Sequence, residues 1–167
     1  MPTNLYGPGD RYDLQGSHVI PALIQKCHEA KVAGASEVAI WGTGSPLREF
    51  LYSDDAAAAF VHLMSLTDRD FRQACGDTEH PPLVNVGSGQ ELTIRDLARA
   101  VCEAVGYKGA LRFDASKPDG TPRKLLDVSR LASLGWRAST SLETGLRQAY
   151  ADYLERFAAG NARAGRR

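Results

Sequence analysis

Glu37-Val-Ala-Ile-Trp41-Gly-Thr-Gly44-Ser-Pro-Leu-Arg48-Glu-Phe-Leu-Tyr-Ser-Asp54-Asp55-Ala-Ala-Ala-Ala59 is the stretch that decides the fold class. Glu37–Trp41 reads as a short strand. Gly42-x-Gly44 lacks the third glycine of a dinucleotide fingerprint, so it is a turn, and Gly87-Ser-Gly89 is read the same way. Glu49–Ser53 reads as a second strand. Asp54 is then predicted to cap a helix that carries Ala56–Ala59, Phe60, Val61, Leu63 and Met64.

The same alternation continues outward. Pro2 to Asp13, with Pro2, Gly7, Pro8 and Gly9, reads as a strand end running into a loop. Ser17 is predicted to cap a helix with Val19, Ile20, Leu23, Ile24 and Cys27 at helical spacing. Pro21 falls in its first turn and Gly34 just past its end. Thr67 to Pro82 is polar and holds Gly76, Pro81 and Pro82, so it is predicted to be a loop. Leu83–Val86 is a continuous apolar strand. Thr93-Ile-Arg-Asp96 resembles a capping box with Asp in place of Glu. It opens a helix of Ile94, Leu97, Val101 and Val105 that Gly106 ends. Leu111–Phe113 is a strand and Ser129–Leu134 a short helix. Ser141 caps a last helix bearing Leu142, Leu146, Ala149, Tyr150, Tyr153, Leu154 and Phe157 on one side. Strands alternating with helices make the chain α/β. The strands are too few and too short for a self-contained doubly wound sheet.

With 167 residues the chain can form a domain with a real core. Its 43% apolar and 24% charged content is that of a globular protein. Twenty basic residues balance twenty acidic ones. That balance argues against a nucleic-acid or membrane-surface partner, and no span of about 20 apolar residues occurs. Arg163, Arg166 and Arg167 belong to a flexible tail over 161–167. Cys27, Cys75 and Cys102 are an odd set without close pairing or zinc spacing, and reduced thiols in the cytoplasm are expected.

Arg48, Lys117, Arg123 and Lys124 lie in or beside segments punctuated by Gly and Pro, where α/β folds bind ligands. A guanidinium fork fits phosphate in two-point contacts and an ammonium adds a point charge, so a pyrophosphate suits the group. Solvated loop cations are the other reading. Trp41 either stacks on a base or sugar or packs as core. His18, at a helix start, is either a proton shuttle or structural.

Several segments follow one another in order: Pro2-Thr-Asn-Leu-Tyr-Gly-Pro-Gly-Asp10, Ser17-His-Val-Ile-Pro-Ala-Leu23, Trp41-Gly-Thr-Gly44, Arg48-Glu-Phe-Leu-Tyr52, Val84-Asn-Val-Gly-Ser-Gly89 and Lys117-Pro-Asp-Gly-Thr-Pro-Arg-Lys-Leu-Leu-Asp127. Over residues 2–157 this series resembles the C-terminal half of the GDP-L-fucose synthase family. Those enzymes are GDP-4-keto-6-deoxy-D-mannose epimerase/reductases of the extended short-chain dehydrogenases, in the NAD-dependent epimerase/dehydratase family. The motif at 117–124 and the one at 17–23 carry the narrower assignment.

The resemblance implies the C-terminal part of an extended Rossmann-type fold over residues 1–160. Residues 1–8 and 49–88 would be remnants of the cofactor sheet, and 9–48 and 89–160 a small substrate domain. The N-terminal dinucleotide-binding half is expected to be missing. Pro2, Thr3, Asn4, Leu5 and His18 would line the nicotinamide side of an NADP(H) site. His18 would act as the acid in two epimerisations. Lys26, Trp41 and Arg48 would contact the GDP moiety of a GDP-sugar substrate, Lys26 standing where the family usually has Arg. Asp119 and Lys124 would belong to a loop that closes near the substrate.

The family's reductase step needs a Tyr-x3-Lys pair, yet none of the six tyrosines has Lys four residues later. The three cysteines match none of the family's motifs. The chain alone is therefore expected to be inactive and a doubtful binder of NADP(H), with apolar faces left uncovered. Homodimers are usual in the family. The alternatives are a fragment of another nucleotide-sugar epimerase/dehydratase and a non-catalytic module that completes a separately encoded N-terminal half.

Overall fold

The computed structural model describes residues 1–12, 16–75 and 83–158. In chain order its elements are β1 (Asn4–Tyr6), α1 (Val19–Ala33), β2 (Glu37–Trp41), β3 (Leu47–Tyr52), α2 (Ser53–Ser65), α3 (Asp68–Cys75), β4 (Glu91–Thr93), α4 (Ile94–Val105), β5 (Ala110–Asp114), β6 (Arg123–Lys124), α5 (Ser129–Ser133) and α6 (Leu142–Tyr153). A π-helical turn, Leu154–Ala158, continues α6.

Two sheets organise the chain. In the larger, β3 is the common strand. Its C-terminal half runs parallel to β1, from Asn4 opposite Phe50 to Tyr6 opposite Tyr52. Its N-terminal half pairs antiparallel with β4 and parallel with β6, where Arg48 faces Lys124. In the smaller sheet β2 and β5 pair in parallel from Glu37 opposite Ala110 to Trp41 opposite Asp114. The side-chain period of two buries Val38 and Ile40 of β2 and turns Trp41 outward.

Helices α1, α4 and α6 contribute Ile20, Leu23, Ile24, Cys27, Leu97, Ala98, Val101, Val105, Leu146, Ala149 and Tyr153 to one core. Burying a Leu or Ile side chain of this kind contributes about 1.5–3 kcal/mol. A second core gathers Leu51, Ala56, Ala59, Val84, Val86 and Leu131 beneath α2.

Local chemistry explains several helix ends. Thr93 caps α4, accepting from Asp96 N at 3.0 Å while its hydroxyl donates to the Asp96 carboxylate at 2.6 Å. Ser141 accepts from Thr144 N at 3.2 Å to cap α6. Gly34 and Gly106, both left-handed, end α1 and α4.

Four expectations need correction. His18, not Ser17, is the N-cap of α1; its extended backbone lets its carbonyl accept from Ala22 N, and the Ser17 hydroxyl has no partner among the described residues. Asp54 does not cap α2: the cap position is Tyr52, and Asp54 and Asp55 occupy the first turn, where carboxylates favour the helix dipole. The predicted loop at 67–82 contains a helix, α3, because Thr67 accepts from Asp70 N at 3.1 Å and donates to its carboxylate at 2.8 Å. That threonine cap is outweighed in the sequence by the polar composition. The Leu83–Val86 strand shrinks to one parallel bridge, Pro2 to Val86, with Thr3 N donating to Val86 O at 3.0 Å.

Cys27 and Cys102, which are 75 residues apart, meet in the core with their sulfurs 3.7 Å apart. Only the packing of α1 on α4 brings them together. On α2, Phe60, Val61 and Met64 are 42, 67 and 85% exposed. The tail at 161–167 and the segment 76–82 lie outside the described residues. Among those described, no helix is long and apolar enough to cross a membrane.

Candidate functional site

Three cavities share Asn4. The largest, about 490 Å³, is walled by residues 2–10 with His18 and Ser53. A second, about 240 Å³, is walled by Asn4, Val19, Trp41, Pro46, Arg48, Phe50, Ile94 and residues 118–120. A gap of about 40 Å³ shares Leu5 and His18 with the first and Val19 and Phe50 with the second. Asn4 is held by β3, donating from Nδ2 to the Glu49 carbonyl at 2.8 Å.

Pro2, Thr3, Asn4, Leu5 and His18 are thus brought together on the larger cavity. His18 is exposed, its backbone held at the start of α1. Thr3 is buried, and its hydroxyl donates to the same Glu49 carbonyl at 3.3 Å. Tyr6 closes the wall as a neutral phenol, since burial and then Asp55 push its pKa well above the ordinary range.

Of the aromatic and cationic candidates, Trp41 and Arg48 line the second cavity, while Lys26, Lys117 and Lys124 lie beside those two residues. Trp41 is 68% exposed and so is not core. The Lys26 and Lys117 ammoniums lie 5.6 and 5.8 Å from its ring centre, within cation–π range. Arg48 donates from Nη1 to Leu47 O at 2.7 Å, and its Nη2 approaches Gly120 so closely that a Cβ there would lie 2.8 Å away. Lys124 sits beside Arg48 in the β3–β6 ladder.

Two strand cations are neutralised. Arg112 meets Glu37 at 2.8 Å. Arg123 grips Glu91 through two 2.8 Å bonds, and that fork lowers the Glu91 pKa. This removes Arg123 from the candidate cations. Lys26, Arg48, Lys117 and Lys124 form no ion pair among the described residues.

Two loops are clasped at the cavity mouth. Asp119 accepts from Thr43 N at 2.9 Å and from the Thr43 hydroxyl at 2.7 Å. Gly42 makes this possible: its φ is +83°, and a Cβ there would overlap Asp119 Oδ1. Arg95 adds a bond from Nη2 to Thr43 O at 2.7 Å while its guanidinium lies 4.0 Å over the Phe113 ring.

Two buried carboxylates, absent from the sequence-derived candidates, brace the site from behind. Glu49 is fully buried, accepting from Gly89 N at 2.7 Å and Leu126 N at 3.0 Å. Asp55 accepts from Ser139 N, the Ser139 hydroxyl and Thr140 N at 3.2, 2.9 and 2.8 Å. The available signal was an acidic residue heading the apolar run Phe50-Leu-Tyr52, since an unpaired buried charge is too costly to survive there.

No cluster of His, Cys, Asp or Glu suited to a metal occurs among the described residues. The residues present fit one end of a dinucleotide, in the open cavity walled by 2–10. No glycine-rich phosphate loop accompanies them, so they do not fit the whole of it.

The model of the NAD dependent epimerase/dehydratase family matches residues 1–87. The chain is 57% identical over 155 residues to GDP-L-fucose synthase 1 of Arabidopsis thaliana, covering 93% of this chain and 45% of that protein. It is 52% identical over 157 residues to GDP-L-fucose synthase of Escherichia coli K12, covering 93% and 48%. The crystal structure of a GDP-L-fucose synthetase from Naegleria fowleri bound to NADP superposes with a TM-score of 0.79 at 28% identity. That match covers 94% of this chain and 46% of the other. The chain thus spans about half the length of the curated relatives it matches.

Proposed function

The chain belongs to the NAD dependent epimerase/dehydratase family, and on that premise we propose that it supplies the GDP-sugar side of a GDP-L-fucose synthase site. The reaction would convert GDP-4-keto-6-deoxy-D-mannose to GDP-L-fucose. The observation that supports this reading best is the exposed Trp41 indole beside cations that have no counter-charge among the described residues. A flat aromatic surface suits a purine face, and unneutralised Lys26, Lys117, Arg48 and Lys124 suit a pyrophosphate. In the proposed assignment Trp41 takes the base and Arg48 the pyrophosphate in a two-point contact. Lys26 supplies charge without a fork. Lys124 reaches the substrate from β6, and Asp119 holds the loop that covers it.

On the other side, Pro2, Thr3, Asn4 and Leu5 would form the wall against which a nicotinamide rests. His18, exposed between the two cavities' linings, is assigned as the acid that protonates sugar carbon during epimerisation. NADPH, when bound, supplies the hydride that reduces the sugar carbonyl. The chain's own contribution is orientation of the sugar and the His18 proton. In this scheme residues 1–8 and 49–88 belong to the cofactor sheet and 9–48 and 89–160 to the substrate lobe, in a cytoplasmic protein.

The 167-residue chain by itself is assigned binding without reduction, because no tyrosine in it is followed by Lys at the fourth position. Fluorescence of Trp41 under titration with GDP and with UDP tests the site: quenching by GDP at lower concentration than UDP is expected, and no response to GDP overturns the assignment. NADPH oxidation with GDP-4-keto-6-deoxymannose tests the second half. Turnover by the purified chain at the rate of a full-length relative would refute it.

A further inference from the structure

We propose that Glu49 is a positioning residue for the sugar-nucleotide site, acting through Lys124; this rests on the GDP reading above. Glu49 follows Arg48 in β3, so the period of two sends the two side chains to opposite faces of the strand. Arg48 lines the cavity and Glu49 is fully buried behind it. A buried carboxylate survives only if its oxygens are satisfied. Here each oxygen is committed to a different segment: Oε1 to Gly89 N at 2.7 Å, Oε2 to Leu126 N at 3.0 Å. The Glu49 carbonyl meanwhile accepts from the Thr3 hydroxyl and Asn4 Nδ2.

One residue therefore joins three pieces of chain. The first is β1, which walls the larger cavity. The second is the turn at 87–89, where Gly87 is required because a Cβ would lie 2.9 Å from Glu49 Cδ. The third is the segment leaving β6, two residues beyond Lys124. The loop from 117 to 126 is pinned near one end by Asp119 on Thr43 and at the other by Leu126 on Glu49. Lys124, exposed in the two-residue strand between these pins, lies against Arg48 in the β3–β6 ladder, and the Glu49 bond fixes the backbone two residues beyond it. The geometry of the ligand cations thus depends on a carboxylate that does not touch the ligand.

Glu49→Gln keeps the volume and replaces one acceptor with an NH2 that faces a backbone N–H. Losing a charge-assisted bond of this kind is expected to weaken GDP binding roughly tenfold in the Trp41 fluorescence titration. In a Lys124→Met background the same change is expected to cost less than about threefold, because its effect runs through Lys124. Equal costs in both backgrounds, or unchanged GDP affinity in Glu49→Gln, overturn the proposal. Amide hydrogen exchange supplies a readout that needs no nucleotide: Glu49→Gln should speed exchange at Gly89, Leu126 and residues 117–124 at least about tenfold. Unchanged exchange there overturns the role of Glu49 even where the parent ignores GDP, an outcome that refutes only the GDP reading if exchange does rise. Should Glu49→Gln fail to fold, Leu126→Pro deletes the single donor next to Lys124 and is expected to give the same loss of affinity; unaltered affinity overturns the proposal.

Discussion

Gly87→Ala tests the buried carboxylate without touching it. The backbone at Gly87 lies outside the left-handed region, so the substitution adds no conformational strain. Its whole cost is the new Cβ, which would overlap Glu49 Oε1 and lie 2.9 and 3.1 Å from Cδ and Oε2. Relief has two routes. Glu49 can swing away and give up its bonds to Gly89 N and Leu126 N, each charge-assisted and worth about 1.5–3 kcal/mol. The turn can instead move outward by about 1 Å, carrying Gly89 N with it and loading the Val86–Pro2 bridge that precedes it. Either route costs roughly 3–4 kcal/mol, the lower half of the first being the cheaper limit. At about 2–4 °C per kcal/mol for a chain of this size, Tm should fall by about 6–16 °C in a calorimetric melt. In a Glu49→Ala background the added methyl meets no carboxylate, and its cost should drop below about 1 kcal/mol. A Tm for Gly87→Ala within about 2 °C of the parent, or the same decrement in both backgrounds, refutes the reasoning.

Trp41→Ala should leave Tm nearly unchanged, because the ring is 68% exposed, yet weaken GDP binding by about 5–100-fold, the span of one aromatic–base stack; a large loss of Tm with intact binding would make Trp41 structural. His28, bonded at 3.0 Å to the Tyr150 hydroxyl, has its pKa lowered by burial and then by Lys31. Its folded pKa being depressed, the folded state binds protons less readily than the unfolded one, so stability present above pH about 6.5 declines as pH falls below it. A His28→Phe variant should therefore lose less Tm than the parent between pH 7.5 and 5.0, and identical pH profiles would contradict this. The Cys102 sulfur contact and then burial raise the Cys27 thiol, so Cys27 should resist Ellman's reagent in the native protein and react on unfolding; rapid native labelling of Cys27 would show that α1 and α4 are not packed as described.

Much of the fold could be read directly. The boundaries of α4 and α6 follow from Thr93 with Asp96 and from Ser141 with Thr144, partners three residues apart. Val38 and Ile40 announce β2 by alternation alone. Two of the errors share one cause. Composition outweighed the Thr67–Asp70 cap, hiding α3, and apolarity suggested a strand at Leu83–Val86 where only Val86 finds a bridge partner. A strand exists only where another backbone accepts its hydrogen bonds, and that is not written in the strand itself.

The candidate site divides in the same way. Sequence alone nominated the residue types proposed to carry the chemistry, because the motifs around His18, Trp41, Arg48 and Lys124 are contiguous and each is legible within a few residues. Tertiary structure decided which of those cations stay unneutralised, that Arg123 is consumed by Glu91, and that Glu49 and Asp55 brace the loops from behind. Glu49 meets its two donors 40 and 77 residues away, and Asp55 meets its donors 84 and 85 residues away. Burial makes those pairings obligatory, since a desolvated carboxylate must find donors, but only the folded chain selects which ones.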